Sequence, residues 1–182
     1  MAESQTSVRM LSPVGVLLLH ATSDHLTGLD IVPSHDPRPL SAVDTKTNNP
    51  ILQRAVRELQ EYFEGHRRTF TVPLTTSGTP FQEKVWEALR SIPYGETLTY
   101  EELGQRAGVG RAPRAVGGAV GRNPIPLIVP CHRVLGHAGR ITGYSGGDGI
   151  PTKEKLLALE GIPYRASRTS NTSSPRSDST SS

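Results

Sequence analysis

Four consecutive residues, Pro130, Cys131, His132 and Arg133, place the only cysteine of the chain beside an imidazole and a guanidinium group. The thiolate is the nucleophilic form of cysteine, and neighbouring basic or cationic side chains lower the thiol pKa. The segment therefore predicts a reactive cysteine that is partly ionised at neutral pH. A lone cysteine is also often a small buried apolar residue, so the rest of the chain must decide between the two interpretations.

Composition limits the compartment and the metal content. The 182-residue chain has one cysteine, no apolar leader and no apolar run long enough to cross a bilayer. These features predict a cytoplasmic protein without internal disulfides and without membrane contact. A single sulfur ligand does not favour a zinc cluster, so no metal is expected.

Charge is distributed unevenly along the chain, although the net charge is only +3. Residues 103–147 contain no Asp or Glu. They carry six arginines, namely Arg106, Arg111, Arg114, Arg122, Arg133 and Arg140. A positive field around the cysteine predicts attraction of a polyanion such as DNA, and a solvated basic face is the simpler alternative.

Periodicity and turn residues predict an α+β protein with two domains. Residues 1–76 are expected to form a small N-terminal α/β domain, with an antiparallel sheet of short strands, a helix that begins at Asn49-Pro50, and another strand at residues 69–74. Residues 77–165 are expected to form a mostly helical C-terminal domain. Residues 166–182 are rich in Ser and Thr and are predicted to be a disordered tail.

Two capping boxes mark helix starts in the C-terminal region. Thr79 with Gln82 opens one helix, and Thr99 with Glu102 opens a shorter one. A glycine-bearing turn leads from the shorter helix to the next, which is predicted over residues 112–122. This succession of helix, turn and helix is the helix-turn-helix arrangement of many DNA-binding proteins.

The second of these two helices has one face that is almost without side chains. Val116 and Val120 form its apolar face, whereas the opposite face carries Gly117, Gly118 and Gly121. A glycine inside a helix costs about 1 kcal/mol relative to alanine, so such a row indicates the close approach of another surface. That surface is either a DNA groove or another helix of the same protein.

Two features are expected to position groups around the cysteine. Pro130 restricts Val129 to extended conformations, so residues 126–129 are predicted to form a stiff extended strut. Glu160 lies at the carbonyl end of the last predicted helix, where the helix dipole disfavours an anion. This location indicates a local partner such as a histidine.

In their order along the chain, these motifs resemble those of the O6-alkylguanine-DNA alkyltransferase family, the methylated-DNA-protein-cysteine methyltransferases. The shared pieces cover most of residues 79–161. They are Phe81-Gln82 with Val85-Trp86, Ile92-Pro93-Tyr94-Gly95-Glu96 with Thr99-Tyr100, Arg114-Ala115-Val116-Gly117-Gly118-Ala119, Asn123-Pro124, Ile128-Val129-Pro130-Cys131-His132-Arg133-Val134, Gly143-Tyr144-Ser145-Gly146-Gly147 and Leu159-Glu160-Gly161. An ordered set of this kind is a far more specific signal than one short motif.

The resemblance implies a chemical role for five residues. Cys131 would attack the alkyl carbon on O6 of a guanine flipped out of duplex DNA, His132 would remove the thiol proton through a water, and Glu160 would orient the imidazole. Tyr100 would donate to the departing guanine, and Asn123 would connect the recognition helix to the cysteine segment. No cofactor is implied, because the thiol accepts the alkyl group. The thioether product cannot be reversed, so each molecule would react once.

The resemblance also implies a DNA interface and a base pocket. Arg114 would fill the gap that the flipped base leaves, and the bare helix face would lie in the minor groove. The implied DNA contacts are Arg114, Ala115, Gly117, Gly118 and Gly121, and the implied pocket residues are Val134, Tyr144, Ser145 and Gly146. The partner would be double-stranded DNA that contains O6-alkylguanine, bound by a monomer. Activity on O4-alkylthymine and the preferred alkyl size stay open.

Three other functions fit parts of the sequence. A lesion sensor would flip the base without chemistry, and Cys131 argues against it. A transcriptional regulator would read base edges, for which a glycine-rich face offers few side chains. A thiol hydrolase would leave the helix-turn-helix unexplained. Some members of the resembled family hold zinc through N-terminal cysteines, which this chain lacks.

Overall fold

The computed structural model describes residues 3–37 and 44–166. The expected α+β fold is confirmed, since an antiparallel sheet and one helix come first and the later part of the chain is mostly helical. Part of the loop predicted between residues 33 and 48 lies outside the described residues. So does the predicted tail, apart from Ala166.

The N-terminal sheet has three antiparallel strands in sequence order. They are β1 (Thr6–Ser12), β2 (Gly15–Ala21) and β3 (Leu26–Ile31). Burial alternates along β1, where Val8 and Met10 face the core, as expected of a sheet that is covered on one side.

Helix α1 (Pro50–Phe63) packs against all three strands. Asn49 caps it as the sequence predicts, because its side-chain oxygen accepts hydrogen bonds from the backbone N–H groups of Ile51 and Leu52 at 2.9 and 3.2 Å. The apolar stripe of the helix ends in Tyr62, which is fully buried. Tyr62 therefore lies at the end of α1 that faces the C-terminal half of the chain.

The strand predicted at residues 69–74 does not form. The Glu58 carboxylate of α1 accepts hydrogen bonds from the backbone N–H groups of Thr71 and Val72 at 3.0 and 3.1 Å. A side chain thus occupies the donors that a strand partner would use. Only Leu74 forms an isolated bridge, parallel to Leu26.

Four helices dominate the C-terminal half. They are α2 (Pro80–Arg90), α3 (Tyr100–Arg106), α4 (Pro113–Gly121) and α5 (Ile150–Leu159). Both predicted capping boxes are confirmed, at Thr79 with Gln82 and at Thr99 with Glu102. Within the described ranges, no helix is long and apolar enough to span a bilayer.

Helices α3 and α4 pack against each other across the connection at residues 107–112. Gly104 permits this approach, because a Cβ atom there would lie 2.5 Å from the carbonyl oxygen of Gly110. Helix α2 holds α4 from another side, since the Trp86 indole N–H donates to the carbonyl oxygen of Ala119 at 2.8 Å. Trp86 is therefore a buried packing residue.

The predicted extended strut at residues 126–129 does not form either. The segment is a series of turns, in which the Val129 N–H donates to the Ile125 carbonyl oxygen at 2.9 Å and Leu127 has a φ of 73°. Asn123 holds these turns, because its Oδ1 accepts from the Ile125 N–H at 3.0 Å and its Nδ2 donates to the Val129 carbonyl oxygen at 2.7 Å. The segment is fixed, but by side-chain hydrogen bonds rather than by extension.

Two short strands, β4 (Leu98–Thr99) and β5 (Val134–Leu135), pair in parallel. β4 leads directly into α3, and β5 directly follows the 3₁₀ turn Cys131–Arg133. This pairing brings Tyr100, the first residue of α3, to the side of the cysteine turn.

Candidate active site

Cys131 lines a cavity of about 280 Å³ between the start of α3, helix α4 and residues 142–145. Its side chain is almost fully buried, with 3% of the residue exposed. Of the predicted site residues, Tyr100, Gly117, Gly121, Tyr144 and Ser145 share the cavity wall with it. The glycine face of α4 and the thiol therefore meet in one place.

The thiol is more weakly acidic than the sequence suggests. Burial raises the pKa of Cys131, and this outweighs the Asn123 side chain, the charge of Lys153 and the hydroxyl of Tyr144, which act in the opposite direction. Burial of the sulfur thus opposes the partial ionisation at neutral pH that the sequence predicts. The flanking Arg133 is hydrogen-bonded to Glu160 and to the Ile92 carbonyl oxygen. The sulfur needs a base when it reacts.

His132 is fully buried, and its Nε2 is hydrogen-bonded to a carboxylate oxygen of Glu160. Burial lowers the pKa of His132 and outweighs the charge of Glu160, which raises it. The neutral imidazole is therefore favoured. Because an ionised carboxylate can only accept, Nε2 carries the proton and Nδ1 offers its lone pair. Nδ1 is buried and has no hydrogen-bond partner among the described residues. It is free to act as a base.

Glu160 follows the last residue of α5 and receives four hydrogen bonds. Oε1 accepts from Arg133 Nε at 2.8 Å and from the backbone N–H of Gly95 at 3.1 Å. Oε2 accepts from His132 and from the Tyr62 hydroxyl at 2.8 Å. The predicted histidine partner of this carboxylate is thus present, together with three donors that the sequence does not reveal.

Arg133 supports the carboxylate rather than the sulfur. It is 5% exposed, and besides Glu160 its Nη1 donates to the Ile92 carbonyl oxygen at 2.7 Å. Its guanidinium also lies 5.7 Å from the ring centroid of Tyr94. The buried guanidinium of Arg133 therefore balances the negative charge of the Glu160 carboxylate.

Replacing Glu160 by Gln is expected to destabilise the protein in a pH-dependent way. Burial alone would raise the pKa of Glu160, but the bonds and charges of His132 and Arg133 outweigh it and bring that pKa to about 2. A carboxylate with a depressed pKa contributes its full stabilisation of the fold above the ordinary pKa of 4.5. This contribution is lost as the pH falls from 4.5 towards 2. Glu160→Gln should therefore cost roughly 3 kcal/mol at pH 7, and less below pH 4.5.

Urea unfolding of both proteins between pH 7 and pH 3 measures this difference. Glu64→Gln, which changes an exposed carboxylate of the same type, is the matched control and should unfold like the wild type. A gap between Glu160→Gln and the wild type that stays constant over the whole pH range would contradict the assignment.

Tyr100 lies at the mouth of the cavity. Its hydroxyl accepts a hydrogen bond from Thr142 Oγ1 at 3.1 Å, so the phenolic proton remains available to another group. Its ring also lies 3.7 Å from the position that a Cβ atom would take at Gly117. A Cβ atom there would make an ordinary contact with the ring, so Gly117 packs directly beside Tyr100.

The outer face of α4 is open. Arg114 and Ala115 are exposed, and nothing lies within 4 Å of the Cβ positions of Gly118 and Gly121. No element among the described residues covers this face, so no helix among them accounts for the close approach that the glycine row indicates. Of the two interpretations of the glycine row, the structure therefore favours an approaching molecule over an internal helix.

The predicted pocket residues divide into two groups. Tyr144 and Ser145 line the cavity, whereas Val134 and Gly146 lie outside its wall. Gly146 packs against the N-terminal sheet, with its Cβ position 3.1 Å from the Ile31 side chain. The Val134 N–H donates to the carbonyl oxygen of Cys131.

Lys153 of α5 is a cavity residue that the sequence analysis misses. It is 1% exposed, and its Nζ donates to the carbonyl oxygens of Val134 and Gly143 at 2.6 and 3.2 Å. Burial lowers its pKa to about 8. Its spacing of three and four residues from Leu156 and Leu157 places it on the apolar face of α5, which is the signal that could have identified it.

In the described ranges, no group of three or more His, Cys, Asp or Glu side chains could hold a metal ion. The cavity around Cys131 is lined by a thiol, hydroxyls, a lysine and glycines. Its chemistry is that of a nucleophile with hydrogen-bond donors.

Comparison with known proteins gives relatives over most of the chain. The methylated-DNA--protein-cysteine methyltransferase of Haemophilus influenzae is 42% identical over 88% of this chain and 89% of its own length. The constitutive enzyme of that name from Bacillus subtilis is 41% identical over 85% of this chain and 94% of its own length. A crystal structure of Mycobacterium tuberculosis OGT in complex with DNA superposes with a TM-score of 0.74 at 41% identity, over 85% of this chain and 92% of that one.

Fold and site together define a helix-turn-helix protein with a buried cysteine next to a histidine that is hydrogen-bonded to a glutamate. The family model described as "6-O-methylguanine DNA methyltransferase, DNA binding domain" matches residues 80–162, and the one described as "6-O-methylguanine DNA methyltransferase, ribonuclease-like domain" matches residues 9–76. The chain belongs to the methylated-DNA-protein-cysteine methyltransferase family.

Proposed function

We propose that this protein repairs DNA by direct reversal, taking the alkyl group from O6-alkylguanine in duplex DNA onto the sulfur of Cys131. One observation carries the proposal: the buried thiol lines a cavity whose wall includes the glycine face of α4. A base that is flipped out of a duplex lying on α4 would enter that cavity. The names of the relatives describe a methyl transfer from methylated DNA to a protein cysteine.

The chemistry follows from the protonation states of the site. The thiol is protonated at rest because burial raises the pKa of Cys131. As the sulfur–carbon bond forms and the carbon–O6 bond breaks, the thiol proton passes to His132 Nδ1, directly or through a water. Glu160 and its donors stabilise the resulting imidazolium. The charge of Lys153 favours the developing thiolate, since it acts to lower the pKa of Cys131.

The leaving guanine gains negative charge as its bond to carbon breaks. The Tyr100 hydroxyl lies at the cavity wall with its proton uncommitted to Thr142. It is placed to donate its proton to the departing base. The imidazolium of His132 then releases its proton to water and the Tyr100 phenolate takes one up from water, so that overall one proton passes from sulfur to guanine. The product is a thioether that no described residue can cleave, so the protein acts once.

Replacing Arg114 by Ala is expected to slow repair of duplex DNA by about 10- to 100-fold. Arg114 is exposed at the start of α4 and borders the groove between Tyr100 and Gly117. Its side chain would fill the space left in the duplex by the flipped base, which offsets part of the unstacking cost of a few kcal/mol.

Single-turnover rates on duplex and single-stranded oligonucleotides that carry O6-methylguanine measure this effect. The loss should be large on the duplex and small on the single strand. Arg106→Ala removes the same charge from the exposed surface of α3 and is the control. An equal loss for Arg114→Ala on both substrates would reject the base-filling role.

A titration of the protein with duplex that contains one O6-methylguanine per molecule tests the proposed function. Restored guanine should rise to one equivalent of protein and then stop. Continued turnover would indicate a true catalyst, and lesion binding without loss of the methyl group would indicate a lesion sensor. Either outcome would overturn the proposal.

The remaining assignments belong to the same proposal. Residues 1–76 and 77–165 would form the two domains, and the protein would act as a cytoplasmic monomer. The two matched stretches, residues 9–76 and 80–162, support that division.

A further inference from the structure

We propose that Tyr62 is a positioning residue for the alkyl transfer, and that α1 thereby supplies part of the reaction machinery. The Tyr62 hydroxyl donates to Glu160 Oε2 at 2.8 Å, across 98 residues of sequence. This inference rests on the proposed function. It assigns to the N-terminal part of the chain a direct contact with the group that orients His132.

The carboxylate of Glu160 is held by two donors on each oxygen. Arg133 and the Gly95 backbone hold Oε1, while Tyr62 and His132 share Oε2. Without the Tyr62 hydroxyl, Oε2 has only the imidazole as a donor. The two donors on Oε1 still hold the carboxylate, but Oε2, the oxygen that orients the His132 ring, is less firmly placed.

The Tyr62 hydroxyl is aimed by packing. Its ring is fully buried and contacts the rings of Phe63, Phe70 and Tyr94, with centroid distances of 5.2, 5.4 and 6.1 Å. Packing alone would be served by phenylalanine, because a buried hydroxyl is costly unless it is hydrogen-bonded. Burial and then the Glu160 charge raise the pKa of Tyr62, so the hydroxyl keeps its proton and remains a donor.

The charge on His132 depends on the hydrogen-bonding and charged groups around the carboxylate. These groups are Tyr62 from α1, the Gly95 backbone N–H, Arg133 from the 3₁₀ turn, and Lys153 of α5, whose charge acts on the imidazole. Tyr94 contributes only its ring, which packs against Tyr62 and Arg133 and is retained in a phenylalanine variant. A donor on Oε2 withdraws negative charge from the bond to His132 Nε2. Removal of the Tyr62 hydroxyl should therefore stabilise the imidazolium form of His132, so that less of the neutral imidazole is present at a given pH.

Tyr62→Phe is expected to slow single-turnover methyl transfer by about tenfold near neutral pH. The acid limb of its pH–rate profile should move to higher pH, because His132 protonates more readily. Tyr94→Phe is the matched control: it removes a hydroxyl from the same ring cluster, but that hydroxyl donates to the Leu159 carbonyl oxygen at 3.3 Å and not to the carboxylate. Its rate and profile should be those of the wild type.

Rates are compared per molecule that binds the lesion duplex, so that partial unfolding of a variant does not obscure the result. A Tyr62→Phe variant with the rate and profile of the wild type would overturn the positioning role. So would an equal slowing of Tyr62→Phe and Tyr94→Phe with unmoved profiles, because that is the mark of a merely structural contact. Failure of the wild type itself to accept the methyl group would reject the proposed function instead.

Discussion

Cys131→Ser is expected to lose at least about a thousandfold in the rate of alkyl transfer, which is the largest effect of any single substitution. A serine hydroxyl is far less acidic than a thiol, and the site is arranged for sulfur, which is the more nucleophilic atom. The chain contains no second cysteine that could replace it. The measurement is the single-turnover loss of methyl from an O6-methylguanine duplex.

Binding must be measured on the same variant, since loss of transfer alone does not separate chemistry from recognition. Cys131→Ser changes one buried atom, and the exposed face of α4 is untouched. The affinity for the lesion duplex should therefore stay within a few-fold of the wild type. Transfer at the wild-type rate by Cys131→Ser would mean that another group accepts the alkyl chain.

His132→Gln is expected to slow transfer by about 10²- to 10⁴-fold near neutral pH. Glutamine can still donate to Glu160 Oε2, but it offers no base to the thiol. Because burial raises the pKa of Cys131, the variant should recover rate only as the pH rises into the alkaline range. The wild type should already be active near neutrality, since burial lowers the pKa of His132 and keeps its base form.

His137→Gln is the matched control for this prediction. His137 lies in the next 3₁₀ turn, His137–Gly139, and is exposed. It should leave the pH–rate profile unchanged. A His132→Gln variant that transfers at the wild-type rate at pH 7 would show that the thiol ionises without His132.

Local signals in the sequence predict local structure well. The capping boxes at Thr79 and Thr99 and the cap at Asn49 are confirmed, because each depends on residues within one helical turn. The α+β fold follows from the same periodicities. An ordered set of motifs predicts the site residues Cys131, His132 and Glu160. The unfavourable position of Glu160 at the carbonyl end of its helix also indicates that it has a partner.

Errors arise where a polar side chain takes the backbone groups that the local pattern assigns to an extended segment. Residues 69–74 alternate like a strand, but the Glu58 carboxylate takes the N–H groups of Thr71 and Val72. Residues 126–129 lie before a proline, but the Asn123 side chain organises them as turns. In both places a polar side chain replaces the partner that local propensity assumes.

The remaining site residues were hidden because their types suggest a different role. Tyr62 lies on the apolar stripe of α1 and is indistinguishable in sequence from a packing residue, yet its hydroxyl reaches Glu160. Lys153 is a charged residue in a helix end, where exposure is the usual outcome, yet it is buried beside the thiol. Tertiary contacts bring Tyr62 to Glu160 and Lys153 to the cavity that Cys131 lines.

Mass spectrometry of the protein after reaction with an O6-methylguanine duplex tests the central claim most directly. The intact protein should gain the mass of one methyl group, and peptide mapping should place it on the sulfur of Cys131 while the DNA regains guanine. An unmodified Cys131 in folded protein that has bound the lesion, or a methyl group on any other residue, would contradict the account.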